Sequence, residues 1–362
     1  MNLSLIWLNL IFNNNYTSII NLINSLETSE SIIDLPISKW KEYELSNEIL
    51  EKISLQKYKD TAKNILDFCK NNNINITNIF KNNYPANLTY IQNPPTILYY
   101  LGELLPQDEC SISVVGSRNY TEYGRIATEK IVSTLAKNNI TIVSGMARGI
   151  DTYAHKTALN QNCRTIAILG CGVNVIYPPN NTELYHNIIQ NGAIISEFVP
   201  NTKPYSWNFP TRNRIISGIS LGTLVVEANI KSGTMTTANW ASDQGKTVYA
   251  IPGNIFSEQS KGTNKLISEG AKIVTSAADI LEDLHGIIKF ELESIDTVQL
   301  KGEEKLVFDT ISSTPISIYE VSFKTSLPIS KLNSILTILE LDGYIKKLAG
   351  DNFIRESKYI LL

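Results

Sequence analysis

The stretch Ile112-Ser113-Val114-Val115-Gly116-Ser117-Arg118-Asn119 decides how this chain of 362 residues folds. A short apolar, β-branched run ends at a glycine, followed by a hydroxyl, a guanidinium and an amide. A helix-period segment, Arg125–Lys137, comes next, and the alternation then repeats. Further short runs stand at Thr141–Ser144, Thr165–Leu169, Ala193–Ser196, Thr223–Glu227 and Thr247–Ile251, with Thr236–Gln244 another helix-period stretch. Continuous apolar runs joined by helices predict a mostly parallel sheet covered on both faces. Residues 111–285 therefore read as a doubly wound α/β domain.

The flanks differ in kind. Residues 1–80 are rich in Asn, Ile and Leu and predict a small helical domain, punctuated at Asn13-Asn14-Asn15 and Asn71-Asn72-Asn73. From Asn83-Tyr84-Pro85 to Pro94-Pro95-Thr96-Ile97-Leu98-Tyr99-Tyr100 the chain reads as a proline-bounded connector entering an extended run, so the α/β domain is assigned 81–286. Residues 287–302 are polar with weak periodicity and read as a linker. Residues 303–362 give three helices and a terminal β ribbon, the order of a winged-helix module. Leu332, Ile335, Leu336 and Leu339 share one helical face there. Gly343-Tyr344-Ile345-Lys346-Lys347 and Lys358-Tyr359-Ile360-Leu361 flank a turn at Gly350-Asp351-Asn352.

Hydrophobic content of 43% and charged content of 19% are ordinary for a soluble globular protein. A net charge of -3 does not imply a general nucleic-acid binder, so any polyanion partner has to be held by a local basic patch. The four cysteines (Cys69, Cys110, Cys163, Cys171) lie far apart with no CxxC pair, which argues against disulfides or zinc and fits a reducing cytoplasm. Three histidines (His155, His186, His285) exclude a His-rich metal centre, and neither metal nor cofactor is expected. Leu3–Phe12 is apolar but lacks a preceding basic residue and an A-x-A-like site, and is too short to span a bilayer. It is expected to be a buried helix, and no membrane partner is expected.

The strand ends carry the chemistry, because ligands of a parallel sheet sit beyond its carboxyl edge. After the first run, Gly116 lets the backbone approach a phosphate, Ser117 and Asn119 offer hydrogen bonds, and Arg118 supplies charge. A tight turn with an exposed arginine explains the same residues. Val143-Ser144-Gly145-Met146-Ala147-Arg148-Gly149-Ile150-Asp151 offers Gly145 and Arg148, although tight strand-to-helix packing with Asp151 as a cap accounts for it equally well. His155, one helical turn on, is read as structural. Gly170-Cys171-Gly172-Val173-Asn174 with Tyr177-Pro178-Pro179-Asn180-Asn181 is a strand end and rigid turn. No histidine is spaced to activate Cys171, which reads as a small buried thiol.

The densest cluster is Asn208-Phe209-Pro210-Thr211-Arg212-Asn213-Arg214-Ile215-Ile216-Ser217-Gly218. Arginine binds phosphate through a planar fork, and a helix N-terminus adds free N–H groups and partial positive charge. Phe209 beside Arg212 and Arg214 offers a base a stacking surface next to phosphate ligands, with Asn213 between the arginines. The structural alternative is a core-facing Phe with acid-paired arginines. No acid lies between Phe198 and Glu227 to make those pairs. Arg214 is the one expected to turn inward and hold the helix, leaving Arg212 to contact the ligand. Lys203 and Lys231 bracket the segment. Lys231-Ser232-Gly233-Thr234 is an anion cradle in principle, lacks Walker A spacing, and serves equally as a helix cap. Lys261 and Lys265 add two cations beyond Pro252-Gly253-Asn254. Many phosphate-type groups without a paired acid/base set predict non-catalytic binding of an extended polyphosphate, such as a single strand of nucleic acid.

These residues together resemble the DNA-processing protein A family, also called DprA or Smf. The matches run through Tyr84-Pro85, Pro95, Leu98-Tyr99, Gly102, Val115-Gly116-Ser117-Arg118, Ser144-Gly145-x-Ala147-x-Gly149-Ile150-Asp151, Gly170-Cys171-Gly172, Tyr177-Pro178 and Ile195-Ser196-Glu197. They continue through Phe209-Pro210-x-Arg212-Asn213-Arg214-Ile215-Ile216, Ser232-Gly233-x-x-x-Thr237-Ala238, Pro252-Gly253 and Gly262-Thr263-Asn264-x-Leu266-Ile267, covering about residues 84–285. The resemblance implies an extended Rossmann-like domain that binds single-stranded DNA. It also implies a homodimer and the delivery of a RecA-type recombinase onto incoming DNA in natural transformation. It maps the family's arginine onto Arg118 and its aromatic onto Phe209. Some relatives carry a lysine shortly before that aromatic, where this chain has Ser206-Trp207-Asn208, and Lys203 is the substitute at hand. The enzyme alternative is a phosphoribohydrolase of the lysine-decarboxylase-like type, which is similar around Leu221-Gly222-Thr223-Leu224-Val225-Val226-Glu227. Its Pro-Gly-Gly-x-Gly-Thr-x-x-Glu glycine run is missing here, where Gly218-Ile219-Ser220-Leu221 precedes Gly222. A dinucleotide-dependent dehydrogenase lacks its G-x-G-x-x-G after the first strand.

Overall fold

The computed structural model describes residues 1–26, 32–284, 300, 302–312, 315–342, 344–348 and 350–355. His285, the strand expected at Lys358–Leu361 and most of the 287–302 linker lie outside these residues. The chain divides into two compact units, Met1–Phe290 and Glu291–Leu362.

The first unit opens with helices α1 (Asn2–Phe12), α2 (Tyr16–Ser25), α3 (Ile37–Trp40), α4 (Asn47–Ser54) and α5 (Gln56–Asn71). The asparagines do the punctuating: Asn13 and Asn73 take the left-handed conformation, φ 50° and 54°, which asparagine tolerates better than most residues. The apolar segment Leu3–Phe12 lies within α1, with Leu5, Ile6, Trp7, Leu8 and Ile11 all at 0% exposure. Trp7 meets Trp40 edge-on, ring centroids 5.6 Å apart. No described helix is long and apolar enough to cross a membrane.

Strands β1 (Asn75–Asn78) and β2 (Ile97–Gly102) lead into β3 (Ser111–Val115), α6 (Glu122–Lys137), β4 (Thr141–Ser144), α7 (Ile150–Asn160), β5 (Thr165–Ile168), α8 (Thr182–Asn191) and β6 (Gly192–Ser196). The chain continues through α9 (Asn208–Ile219), β7 (Gly222–Val225), α10 (Gly233–Asp243), β8 (Thr247–Ala250), α11 (Lys261–Ser268), β9 (Lys272–Ile273) and α12 (Ala278–Leu284). All nine strands form one sheet in the order β1-β2-β6-β5-β4-β3-β7-β8-β9. From β6 to β9 the pairings are parallel, and β1 and β2 add an antiparallel edge. The six runs read from the sequence are six of these strands.

The side-chain period of two explains the two cores. Val115 and Val143 face Ile215, Ile216 and Ala238 on one side, whereas Ile112, Val114 and Ile142 face Ile131, Leu135 and Ala154 on the other. With both faces covered, the alternation of polarity that marks a half-exposed strand is lost, and the runs read as continuously apolar.

The second unit holds α13 (Gly302–Thr310), β10 (Ile316–Ser317), α14 (Ile318–Thr325), α15 (Ile329–Leu341), β11 (Ile345–Leu348) and β12 (Asn352–Arg355). Its three strands lie in the order β10-β12-β11, antiparallel. Leu332, Ile335, Leu336 and Leu339 of α15 pack with Val307, Val321 and Phe353. The ribbon's second strand begins immediately after the turn, with Leu348 paired to Asn352. The strand expected at Lys358–Leu361 lies outside the described residues, and β12 is a strand the sequence reading did not place. Gly350 and Asp351 at φ 76° and 53° complete the reversal within the loop, so pairing resumes at Asn352.

Candidate nucleic-acid interface

A doubly wound sheet offers a crevice where its strand order reverses. Here that point lies between β3 and β7, and the protein's own side chains fill it. Glu227, 1% exposed, accepts from the backbone N–H and the hydroxyl of Thr121. Ser117 donates to Gln259 Oε1 (2.8 Å), and the Asn119 N–H donates to Ser117 Oγ (3.0 Å). The open cleft lies to one side, over the carboxyl ends of β3, β4 and β5. It holds about 300 Å³, and its lining includes Arg118, Asn119, Gly145, Arg148, Phe209 and Arg212, with Tyr177 among the further residues.

Two close approaches shape it. Gly149 has φ 84°, and a Cβ there would stand 2.3 Å from the Ser117 carbonyl oxygen, so only glycine brings the two arginine loops together. The Ile150 N–H then donates to that same carbonyl (3.2 Å). A Cβ on Gly170 would meet the Phe209 ring at 2.8 Å, which is why glycine stands beneath this aromatic. Asn208 Nδ2 donates to the Gly170 carbonyl (3.1 Å) and fixes the start of α9 at the end of β5. Phe209 and Tyr177 then face each other, centroids 5.6 Å apart.

The arginines divide into two kinds. Arg118 and Arg148 are exposed at the rim and make no ion pair among the described residues. Arg212 is 4% exposed and points into the protein, donating to the carbonyls of Gly145 (3.1 Å) and Ile168 and to Asn213 Oδ1. Burial pulls its pKa down to about 10, partly opposed by Asp151, and it stays charged at neutral pH. Its guanidinium forms the inner wall of the cleft rather than a free arm. Arg214 is 8% exposed and bidentate to Glu197 (2.7 and 2.6 Å), with further bonds to the carbonyls of Asn93 and Thr211. Arg214 therefore turns inward and holds α9, and its place among the phosphate-binding candidates is corrected. The argument that no acid was at hand missed Glu197, which stands one residue before the span considered.

Other predicted residues fall elsewhere. Gly116 and Ser117 lie buried under the cleft, and Asn213 ties α9 to the Gly233 carbonyl (3.3 Å). Lys231, Ser232, Gly233 and Thr234 surround the start of α10 and do not line the cleft. Lys261 pairs with Glu258 and Lys265 with Glu269 (3.5 Å) on or beside α11, and neither lysine lines the cleft. Lys203 is exposed in the loop before α9 and makes no ion pair among the described residues. Cys171 is buried and its thiol is pushed up to about 11 by burial, so it is protonated at neutral pH. His155 is fully buried, shares a 2.6 Å hydrogen bond with Thr165, and is held neutral by a pKa pulled down to about 3, chiefly through burial.

Three groups escaped the sequence reading. Lys246 reaches under the end of α9 and donates to the carbonyls of Ser217, Gly218 and Ser220, the orphan acceptors of that helix. Its signal, a lysine in a Gly245-Lys246 turn, is indistinguishable from a solvated one. Tyr177 joins the aromatic floor, and Tyr205 and Trp207 stack on each other in the loop before α9. The signal for the last two is the alternation Tyr205-x-Trp207-x-Phe209.

Residues 75–285 match the family described as DNA recombination-mediator protein A, and residues 296–351 match the DprA winged helix domain. The Protein Smf of Escherichia coli is 38% identical over 74% of this chain and 74% of its own. The DNA processing protein DprA of Streptococcus pneumoniae is 42% identical over 55% of this chain and 71% of its own, and a crystal structure of that protein superposes with a TM-score of 0.58 over 71% of this chain and 92% of the other. A Helicobacter pylori DNA processing protein A, whose structure is described by its single-stranded DNA binding mode, is 30% identical, with a TM-score of 0.54 over 59% of this chain and 97% of its own. With the sheet, the winged helix and this sequence identity in agreement, the chain belongs to the DNA recombination-mediator protein A family, a family of DNA-processing mediators.

Proposed function

We propose that this protein binds single-stranded DNA in the cleft over β3, β4 and β5 and acts there without catalysis. The observation that carries the reading is the pairing of two exposed, unpaired guanidinium groups, Arg118 and Arg148, with the aromatic floor of Phe209 and Tyr177. Guanidinium groups take phosphates and an aromatic takes any base, which is how a strand is held without regard to sequence. The H. pylori relative supports the same ligand class. Family membership further supports a cytoplasmic, homodimeric mediator that protects incoming DNA and helps load a RecA-type recombinase in natural transformation.

The phosphoribohydrolase alternative draws no support from Glu227, whose carboxylate is buried and occupied by Thr121. The test is an anisotropy titration of the full chain with a labelled 20-mer, single-stranded and duplex, at several salt concentrations. Tighter single-strand binding that weakens with salt is expected, and Arg118→Ala reduces both the affinity and the salt slope. Equal affinity for the two forms, or an Arg118→Ala variant indistinguishable from wild type, overturns the reading.

A further inference from the structure

We infer that Tyr205 and Trp207 form a second base-stacking ledge, a subsite for the nucleotide adjoining the one held over Phe209. The inference rests on the single-strand reading above and adds to it a site on the loop before α9.

The loop is built for display. Tyr205 donates its N–H to the Lys203 carbonyl (2.8 Å), and the Asn208 N–H donates back to the Tyr205 carbonyl (3.0 Å), closing a turn of four residues. That turn brings the side chains at 205 and 207 face to face, with ring centroids 4.7 Å apart and planes within 7° of parallel. Yet the pair is left in solvent, with Trp207 66% and Tyr205 44% exposed. Isolated exposed aromatics are common. A preformed parallel stack is different, because each ring holds the other in one orientation and an incoming flat ring meets a fixed surface.

Three features select a nucleobase as its occupant. Asn208 anchors the loop to the Gly170 carbonyl, and Phe209, which lines the cleft, follows Trp207 by two residues, at most about 7 Å of chain. Lys203 stands at the start of the same turn, exposed and with no ion pair among the described residues, where it can take the intervening phosphate. Nothing on the loop specifies a base edge, so the ledge is sequence-tolerant, favouring purines for their larger stacking surface.

The test uses the full chain and a single-stranded 20-mer. Trp207→Ala is expected to weaken binding about five- to 150-fold, the range for one lost base stack, without changing the salt slope. Trp207→Phe is expected to retain most of the affinity. Of the other three tryptophans, Trp7 and Trp40 are buried and Trp240 is half-buried on α10 and does not line the cleft, so oligonucleotide quenching of indole fluorescence in the wild type should fall sharply in Trp207→Phe. If Arg118→Ala and Phe209→Ala weaken binding but Trp207→Ala does not, the ledge is wrong and the cleft stands. If none of the three weakens it, the single-strand reading itself fails. An unchanged affinity of Trp207→Ala with a shift in sedimentation of the free protein assigns the stack to a protein contact and also overturns the proposal.

Discussion

Arg118 and Arg148 differ from Arg212 and Arg214 in one physical respect, and the whole site follows from it. The first two stand on loops at the rim, with water around them and no acid partner among the described residues. The second two belong to α9, are buried, and have their donors spent on Glu197, backbone carbonyls and Asn213. The residue type and the motif are alike; what separates a ligand contact from a structural clamp is who already holds the hydrogen bonds. Buried charges must be paired or solvated by dipoles, and exposed ones are free to exchange partners.

That division can be broken by substitution. Removing Arg214 leaves Glu197 buried and unpaired, which costs about 3–5 kcal/mol. Arg214→Ala should therefore lower the thermal midpoint markedly, and the added change Glu197→Gln should recover part of the loss. A variant that melts like wild type sinks the clamp assignment. His155 tests the same buried region by pH. Its folded pKa, pulled down to about 3, lies below the 6.5 of an unfolded histidine. As pH falls from 6.5 toward 3 the unfolded chain takes up a proton that the folded one refuses. Stability should fall by about 1.4 kcal/mol per pH unit from this group. His155→Gln should remove that component, seen as a smaller difference between urea midpoints at pH 7 and pH 4.5.

The rim should behave in the opposite way. Phe209→Ala is expected to lose about 1–3 kcal/mol of single-strand binding. Arg118→Ala should change stability by no more than about 0.5 kcal/mol, while lowering the slope of log affinity against log salt by about 0.7 for each phosphate lost. Lys261→Ala, which breaks an exposed pair away from the cleft, should move stability by under about 1 kcal/mol and leave binding unchanged. A clear binding defect in that variant contradicts the present map.

The sheet was legible because its strands are buried on both faces, so Thr141–Ser144 and its fellows appear as unbroken apolar runs. The strand-end loops were legible because glycine and arginine are rare together without a reason. Side-chain partners were not legible. Arg214 is held inward by Glu197, just after β6, which the fold and not the sequence brings to α9. The antiparallel β1 was hidden in a region whose composition speaks for helix, since Asn75–Asn78 has neither length nor alternation enough to announce itself. The Tyr205–Trp207 stack needed a turn geometry that Tyr205-Ser206-Trp207-Asn208 does not encode by itself.

The contact between Gly149 and the Ser117 carbonyl has a consequence for kinetics. It locks the loop carrying Arg118 to the loop carrying Arg148, so the spacing of the two charges is set before any partner arrives. A surface that needs no ordering surrenders little entropy when it is filled. Grip and release then depend on the contacts themselves.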